Sequence, residues 1–177
     1  LQWTVTMGRF DIAVAVMTMS SFRVAPPIGH LVRLKRIVGH LVKMKNGYIR
    51  IRTEKPDCSD MPPLEHDWTH TVYGEVKELT PHDAPQPLGR SVILTTCKDA
   101  NLHHDWVTGR AVTGILHFIN KTPFEWFAKK QATCEAATYG SEFVSAKQAC
   151  EQIMGIRTAL RYLGVPIDGP TRMVGDN

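Results

Sequence analysis

A chain of 177 residues with 43% hydrophobic content can bury a core of its own and carry an appendage, which excludes a disordered polymer. The formal charge of +4 points only weakly to a polyanionic partner, because scattered Lys and Arg also serve solubility. Four cysteines without a CxxC pair argue against a disulfide framework, and the absence of a long apolar run or a basic-then-apolar leader argues for an intracellular chain, neither secreted nor membrane-spanning.

Residues 1–8 have no assignable pattern beyond the alternation of Trp3, Val5 and Met7. Asp11 has the chemistry of an N-cap for an apolar helix over 12–22. The pair of prolines at 26 and 27 breaks that helix and opens another, which runs to about Lys45. Leu31, Leu34, Ile37, Val38, Leu41 and Met44 form its apolar stripe, and Arg33, Arg36, His40 and Lys43 line its other side. That basic ridge has the spacing to follow a phosphate backbone, and it equally describes a solvated face. An AsnGly turn at 46–47 leads into an alternating strand over 48–53. Residues 54–89 contain six prolines and no helical period, so they read as a linker with one short strand near 71–75. His66 and His70 stand four apart, but no HExxH pattern accompanies them.

From Arg90 the elements follow a clear order. Strands are expected over 91–98, 109–120 and 124–129, then a long helix over 139–164, then a strand over 171–176. Short loops make the first three strands an antiparallel meander, and the helical crossover sets the last strand parallel in the same sheet. The expected fold class is therefore α+β, with a mixed β-β-β-α-β sheet preceded by a small helical segment. The sequence opens on Leu1 without a methionine and stops at Asn177 just after a predicted strand, so a piece of a longer polypeptide is expected.

The helix over 139–164 carries the chemistry. At about 100° per residue, Ala146, Ala149, Ile153, Ile156, Leu160 and Leu163 share one stripe, and Glu142 lies nearly at its centre. Either Glu142 sits in water at an open first turn, or it joins other acids around a metal ion. The first strand ends in Asp99 and the last in Asp176, and crossover geometry brings those strands together. Three converging carboxylates repel one another unless divalent cations neutralise them, which implies Mg²⁺ or Mn²⁺. Two such ions about 4 Å apart supply phosphodiester hydrolysis.

Other groups carry less. His103, His104 and Asp105 are adjacent on a loop, which seldom closes a tetrahedral zinc site. Lys129 and Lys130 suit a nucleic-acid backbone or a solvated strand end equally. Trp126 and Phe127 read as core rather than a base-stacking platform, and Cys134 and Cys150 read as inert.

Five stretches together resemble the ribonuclease H domain of copia-type retrotransposon polyproteins. They are CysLysAspAla at 97–100, ThrGlyArgAlaValThrGlyIle at 108–115, TrpPheAlaLysLysGln at 126–131, AlaThrTyrGlySerGluPheVal at 137–144 and the GlyAspAsn at 175–177. GlyArgPheAspIleAlaValAlaVal at 8–16 and HisLeuValArgLeuLysArgIleValGlyHisLeu at 30–41 are similar to the end of the reverse transcriptase in the same polyproteins. The resemblance implies a reverse-transcriptase end over 1–53, a linker over 54–89 and a ribonuclease H-like domain over 90–177. It implies Asp99, Glu142 and Asp176 as metal-binding catalytic acids, two Mg²⁺ or Mn²⁺ ions, and cleavage of RNA in an RNA–DNA hybrid. Arg33, Arg36, Lys43, Lys129 and Lys130 would then meet the nucleic acid, and the rest of the polyprotein would be a partner. The sequence departs from the pattern at Asn101, where a second aspartate is usual, and at Tyr139 and Gly140 ahead of Glu142. A fourth acid is expected past Asn177, and an incomplete cage binds a second ion poorly. The alternative is a catalytically inactive nucleic-acid-binding remnant.

Overall fold

The computed structural model describes residues 1–62, 67, 69–74, 78, 80 and 82–176. Its centre is a four-stranded mixed sheet. Strands β1 (Leu94–Asn101), β2 (Val112–Ile119) and β3 (Thr122–Lys130) form the expected antiparallel meander, and β4 (Arg172–Val174) pairs parallel with β1. The spatial order is β3-β2-β1-β4. Asn120 turns β2 into β3 with a left-handed φ of 54°, a conformation that asparagine tolerates. Its buried amide also accepts from Ile93 N–H and donates to Thr53 C=O, both at 3.0 Å, so one side chain joins the turn, the entry to β1 and the preceding chain.

The crossover helix α4 (Thr138–Tyr162) covers one face of the sheet. Its buried line is Ser141, Glu142, Ser145 and Ala149, a run of small residues around one carboxylate. Small side chains let the helix approach β1 closely, and Ser145 Oγ donates to Asp99 C=O at 3.1 Å. Leu163, expected on the buried stripe, is 75% exposed because the helix stops there. Gly164 takes φ +70°, its N–H reaches Arg161 C=O, and Val165 N–H reaches Leu160 C=O, the two bonds of a glycine-terminated Schellman motif. Between helix and sheet, His117 is fully buried, with Nδ1 2.9 Å from Thr96 Oγ1 and Nε2 3.0 Å from Gln152 Oε1.

The N-terminal helices pack on the other face, beside β3. Residues 2–6 form α1 (Gln2–Thr6), then a single 3-10 turn at Phe10–Ile12 leads into α2 (Ala13–Ser20). Asp11 is not the N-cap that its position suggests: Ile12 precedes α2, and Asp11 binds Arg9 and His40 instead. Trp126 stands opposite Leu116, out of phase with the buried Ile115 and His117, so it points away from α4. There its ring lies 5.3 Å from that of Phe10, and its indole N–H donates to Val5 C=O at 3.1 Å. Val5, Ile12, Val16 and Ile37 complete this second core, with Trp126 and Leu41 against it. Trp126 is a packing residue, as expected.

The second helix, α3 (Ile28–Lys43), buries only Ile37 from its predicted stripe. Leu31, Leu34, Val38 and Met44 stay exposed because α3 meets the molecule along one narrow line, on α2. The expected strand over 48–53 is absent. Tyr48 and Ile51 face solvent, and the chain is held by Thr122 Oγ, which accepts from Arg52 N–H and donates to Arg52 C=O. That contact holds the segment without making it a strand, although β3 is the edge strand and is paired only on its β2 side.

The described residues of 54–89 form no helix or strand, and residues 71–74 make a turn; Glu75 and His66 lie outside the described residues. The segment is nevertheless tied down. Glu78 pairs with Arg157 and Arg161 of α4, Leu88 N–H donates to Gly164 C=O, and Lys55 pairs with Asp168. No helix among the described residues is long and apolar enough to cross a membrane.

Candidate metal centre

Register brings the acids together. In the parallel pairing of β1 with β4, Cys97 stands opposite Val174. Asp99 and Asp176 each lie two positions further along, so both leave the same end of the sheet at the same level. The first turns of α4 pass over that end, held by the Ser145 hydroxyl on Asp99 C=O. Each of Asp99, Glu142 and Asp176 consequently offers a carboxylate oxygen within 4.8 Å of the other two. Among the described residues this is the one cluster of three or more His, Cys, Asp or Glu side chains close enough to share an ion.

Glu142 is 8% exposed, while Asp99 and Asp176 are exposed. Of the two placements open to Glu142, the solvated first turn does not occur. Its carboxylate instead has two internal partners. Ala100 N–H donates to Oε1 at 3.2 Å, and Lys98 Nζ pairs with Oε2 at 2.5 Å. Lys98 itself is 9% exposed by its side chain, so this is a buried ion pair. It crosses Gly175, where an added Cβ would stand 2.7 Å from Lys98 Cε and 2.9 Å from Nζ. The bare glycine gives the lysine stem its passage.

Lys98 was invisible to the argument from acids alone. The sign it left in the sequence is a charged residue at an inward position of β1, between the buried Thr96 and Ala100. Such a residue needs a partner across the layer. With one ammonium against three carboxylates, the cluster keeps two formal negative charges on its exposed side.

The donor set suits a hard divalent cation. Magnesium with bonds of about 2.1 Å keeps its ligand oxygens within about 4.2 Å of one another. Its cis ligands stand about 3 Å apart, so oxygens that lie within 4.8 Å of one another close on an ion by side-chain rotation at the two exposed aspartates.

No family model, curated protein or solved structure matches this chain. What the site can do follows from its own atoms.

Of the expected nucleic-acid contacts, Lys129 and Lys130 lie two strands from β1 at the level of Ala100 and Asn101, and the others lie on α3. Arg33, Arg36 and Lys43 are exposed along α3, while His40 of the same ridge is bound to Asp11 at 2.8 Å. Lys129 is exposed at the end of β3. Lys130 is paired with Asp105, and that lysine, with the Thr108 hydroxyl, holds the Asp105 carboxyl down at about 2. Asp105 is thereby committed to the loop after β1, and the triple His103, His104 and Asp105 does not gather its ligand atoms. Cys97 lies near the acids, but partial burial pushes its thiol up, which suppresses the nucleophilic thiolate. Cys134 donates to Gly109 C=O at 3.2 Å.

Proposed function

We propose that this chain is a ribonuclease H-type hydrolase, belonging to a retrotransposon reverse-transcriptase polyprotein, that cuts the RNA strand of an RNA–DNA hybrid. The observation that carries the reading is the meeting of Asp99, Glu142 and Asp176, from three elements distant in sequence, with oxygens within 4.8 Å. The β-β-β-α-β order and the parallel placement of β4 beside β1 agree with the family resemblance.

In this reading the three carboxylates hold Mg²⁺ or Mn²⁺, and the bound ions supply an activated water and a stabilised leaving oxygen for hydrolysis of the phosphodiester. The chain's own residues do the positioning. Ala100 N–H fixes one Glu142 oxygen, and the Ser145 hydroxyl locks α4 to the strand that bears Asp99. No side chain serves as a covalent nucleophile, and the raised Cys97 thiol is unsuited to it. Exposed Arg33, Arg36, Lys43 and Lys129 bind backbone phosphates, so the hybrid is recognised by shape and 2′-hydroxyls rather than by base sequence.

A labelled hybrid incubated with the chain in Mg²⁺ tests this. Cleavage should fall by about a hundredfold or more in Glu142→Gln, in the range expected for removing a charge-stabilising group from a hydrolytic site. Full activity in that variant would refute the assignment. The Lys98–Glu142 pair favours a second reading, in which the lysine has replaced the ion and the chain binds hybrids without cutting them. Hybrid binding with no cleavage in either Mg²⁺ or Mn²⁺ would select it.

A further inference from the structure

We propose that Lys98 and a divalent cation are alternative occupants of the Glu142 carboxylate, so that metal loading of the site is gated by release of the lysine. This rests on the metal-site reading above and goes beyond it by assigning a regulatory role to a residue that is not a ligand.

The geometry sets the competition. Lys98 Nζ holds Glu142 Oε2 at 2.5 Å, and Ala100 N–H holds Oε1. Both oxygens of the buried acid are therefore occupied by the protein. An ion bound by Asp99 and Asp176 therefore meets the ammonium at Glu142 Oε2, and the two cations compete for that oxygen. The reverse also holds. While Lys98 stays in place, its charge repels a cation arriving within a few ångströms, in a site that solvent screens little.

The exit is visible as well. Lys98 passes over Gly175, whose lack of a side chain leaves room for the stem to slide, and Gly175 directly precedes Asp176. The exposed ends of Asp99 and Asp176 offer the ammonium no enclosed alternative, so once released it points to solvent. The tether also has a use without the ion. It keeps a buried carboxylate neutralised beside two others, so the fold does not depend on metal to form.

The test is Mn²⁺ binding by the full chain, read from the paramagnetic signal of free Mn²⁺, together with thermal unfolding with and without Mn²⁺. Wild type, Lys98→Met, Lys98→Gln, Glu142→Gln and Lys98→Met/Glu142→Gln are compared. Lys98→Met should bind Mn²⁺ on the order of tenfold or more tightly than wild type and gain a larger rise in Tm on binding. Lys98→Gln can still donate a hydrogen bond to Glu142, so it folds without metal and should show the same direction of change. In the double variant the gain should vanish, since the contested carboxylate is gone. Wild type that binds Mn²⁺ while both Lys98 variants bind it no tighter overturns the gate and leaves the metal site standing. Absence of Mn²⁺ binding in every variant overturns both.

Discussion

Removing one partner of the Lys98–Glu142 pair at a time, and then both, measures how far the metal-free site depends on that contact. The side chains are 9% and 10% exposed, so water screens them little. Lys98→Met strands the Glu142 carboxylate beside Asp99 and Asp176, whose oxygens lie within 4.8 Å. Loss of one partner of a buried pair costs about 3–5 kcal/mol, and the neighbouring like charges place this variant at the upper end. Glu142→Gln is milder, at about 1–3 kcal/mol, because the amide oxygen still accepts from Ala100 N–H and the released lysine can slide past Gly175 to solvent. The double variant removes both charges with little change of shape and should cost under about 1 kcal/mol. The coupling energy is then about 3 kcal/mol or more. In a chain of 177 residues each kcal/mol moves Tm by roughly 2–4 °C, so Lys98→Met should melt about 10 °C or more below wild type. The assay is urea and thermal unfolding followed by circular dichroism, in EDTA. Strictly additive single effects would refute the reasoning, because they would mean that the ammonium and carboxylate do not depend on one another.

Three further outcomes are expected. Asn120→Ala strips partners from Ile93 N–H and Thr53 C=O and puts alanine at φ 54°, so it should destabilise by about 2–4 kcal/mol in urea unfolding, whereas Asn120→Gly should recover about 1 kcal/mol of that. Glu78 is held near 2 by Arg157 and then Arg161, below its ordinary value of 4.5. Its contribution is therefore complete above about pH 4.5 and is lost as pH falls toward 2; at 35% exposure it is worth about 1 kcal/mol or less, and the stability gap between wild type and Glu78→Gln should close over that window. Replacing Arg33 and Arg36 by Ala should weaken hybrid binding without changing the melting curve, and should reduce the slope of log affinity against log salt by about 2, with an unchanged slope showing that the ridge is only a solvated face.

The order of elements from Arg90 onward was legible because period-2 and period-3.6 patterns are local. Strand bounds shifted by a few residues, as at β1, since the ends of a ladder depend on the partner strand. The segment over 48–53 shows where local pattern fails: its alternation is that of a strand, but it meets the edge strand β3 only through the Thr122 hydroxyl on Arg52 and forms no ladder there. On α3 the stripe suggested burial of six residues, while the helix meets the molecule along a narrow line that buries Ile37 alone. Asp11 is a good cap in isolation, yet Arg9 and His40 bind it more strongly as an ion.

The sequence by itself determined the local grammar of this protein: which stretches extend or coil, and that the meander is antiparallel; Asp99, expected at the end of its strand, lies inside β1, which continues to Asn101. Only tertiary structure decided what the three acids meet. The level of Asp99 with Asp176 depends on the register of two strands separated along the chain by β2, β3 and a 25-residue helix, and the partner of Glu142 is a lysine 44 positions away. Such contacts arise from the free energy of the whole packed layer, in which a buried charge takes the nearest opposite charge irrespective of its distance along the chain.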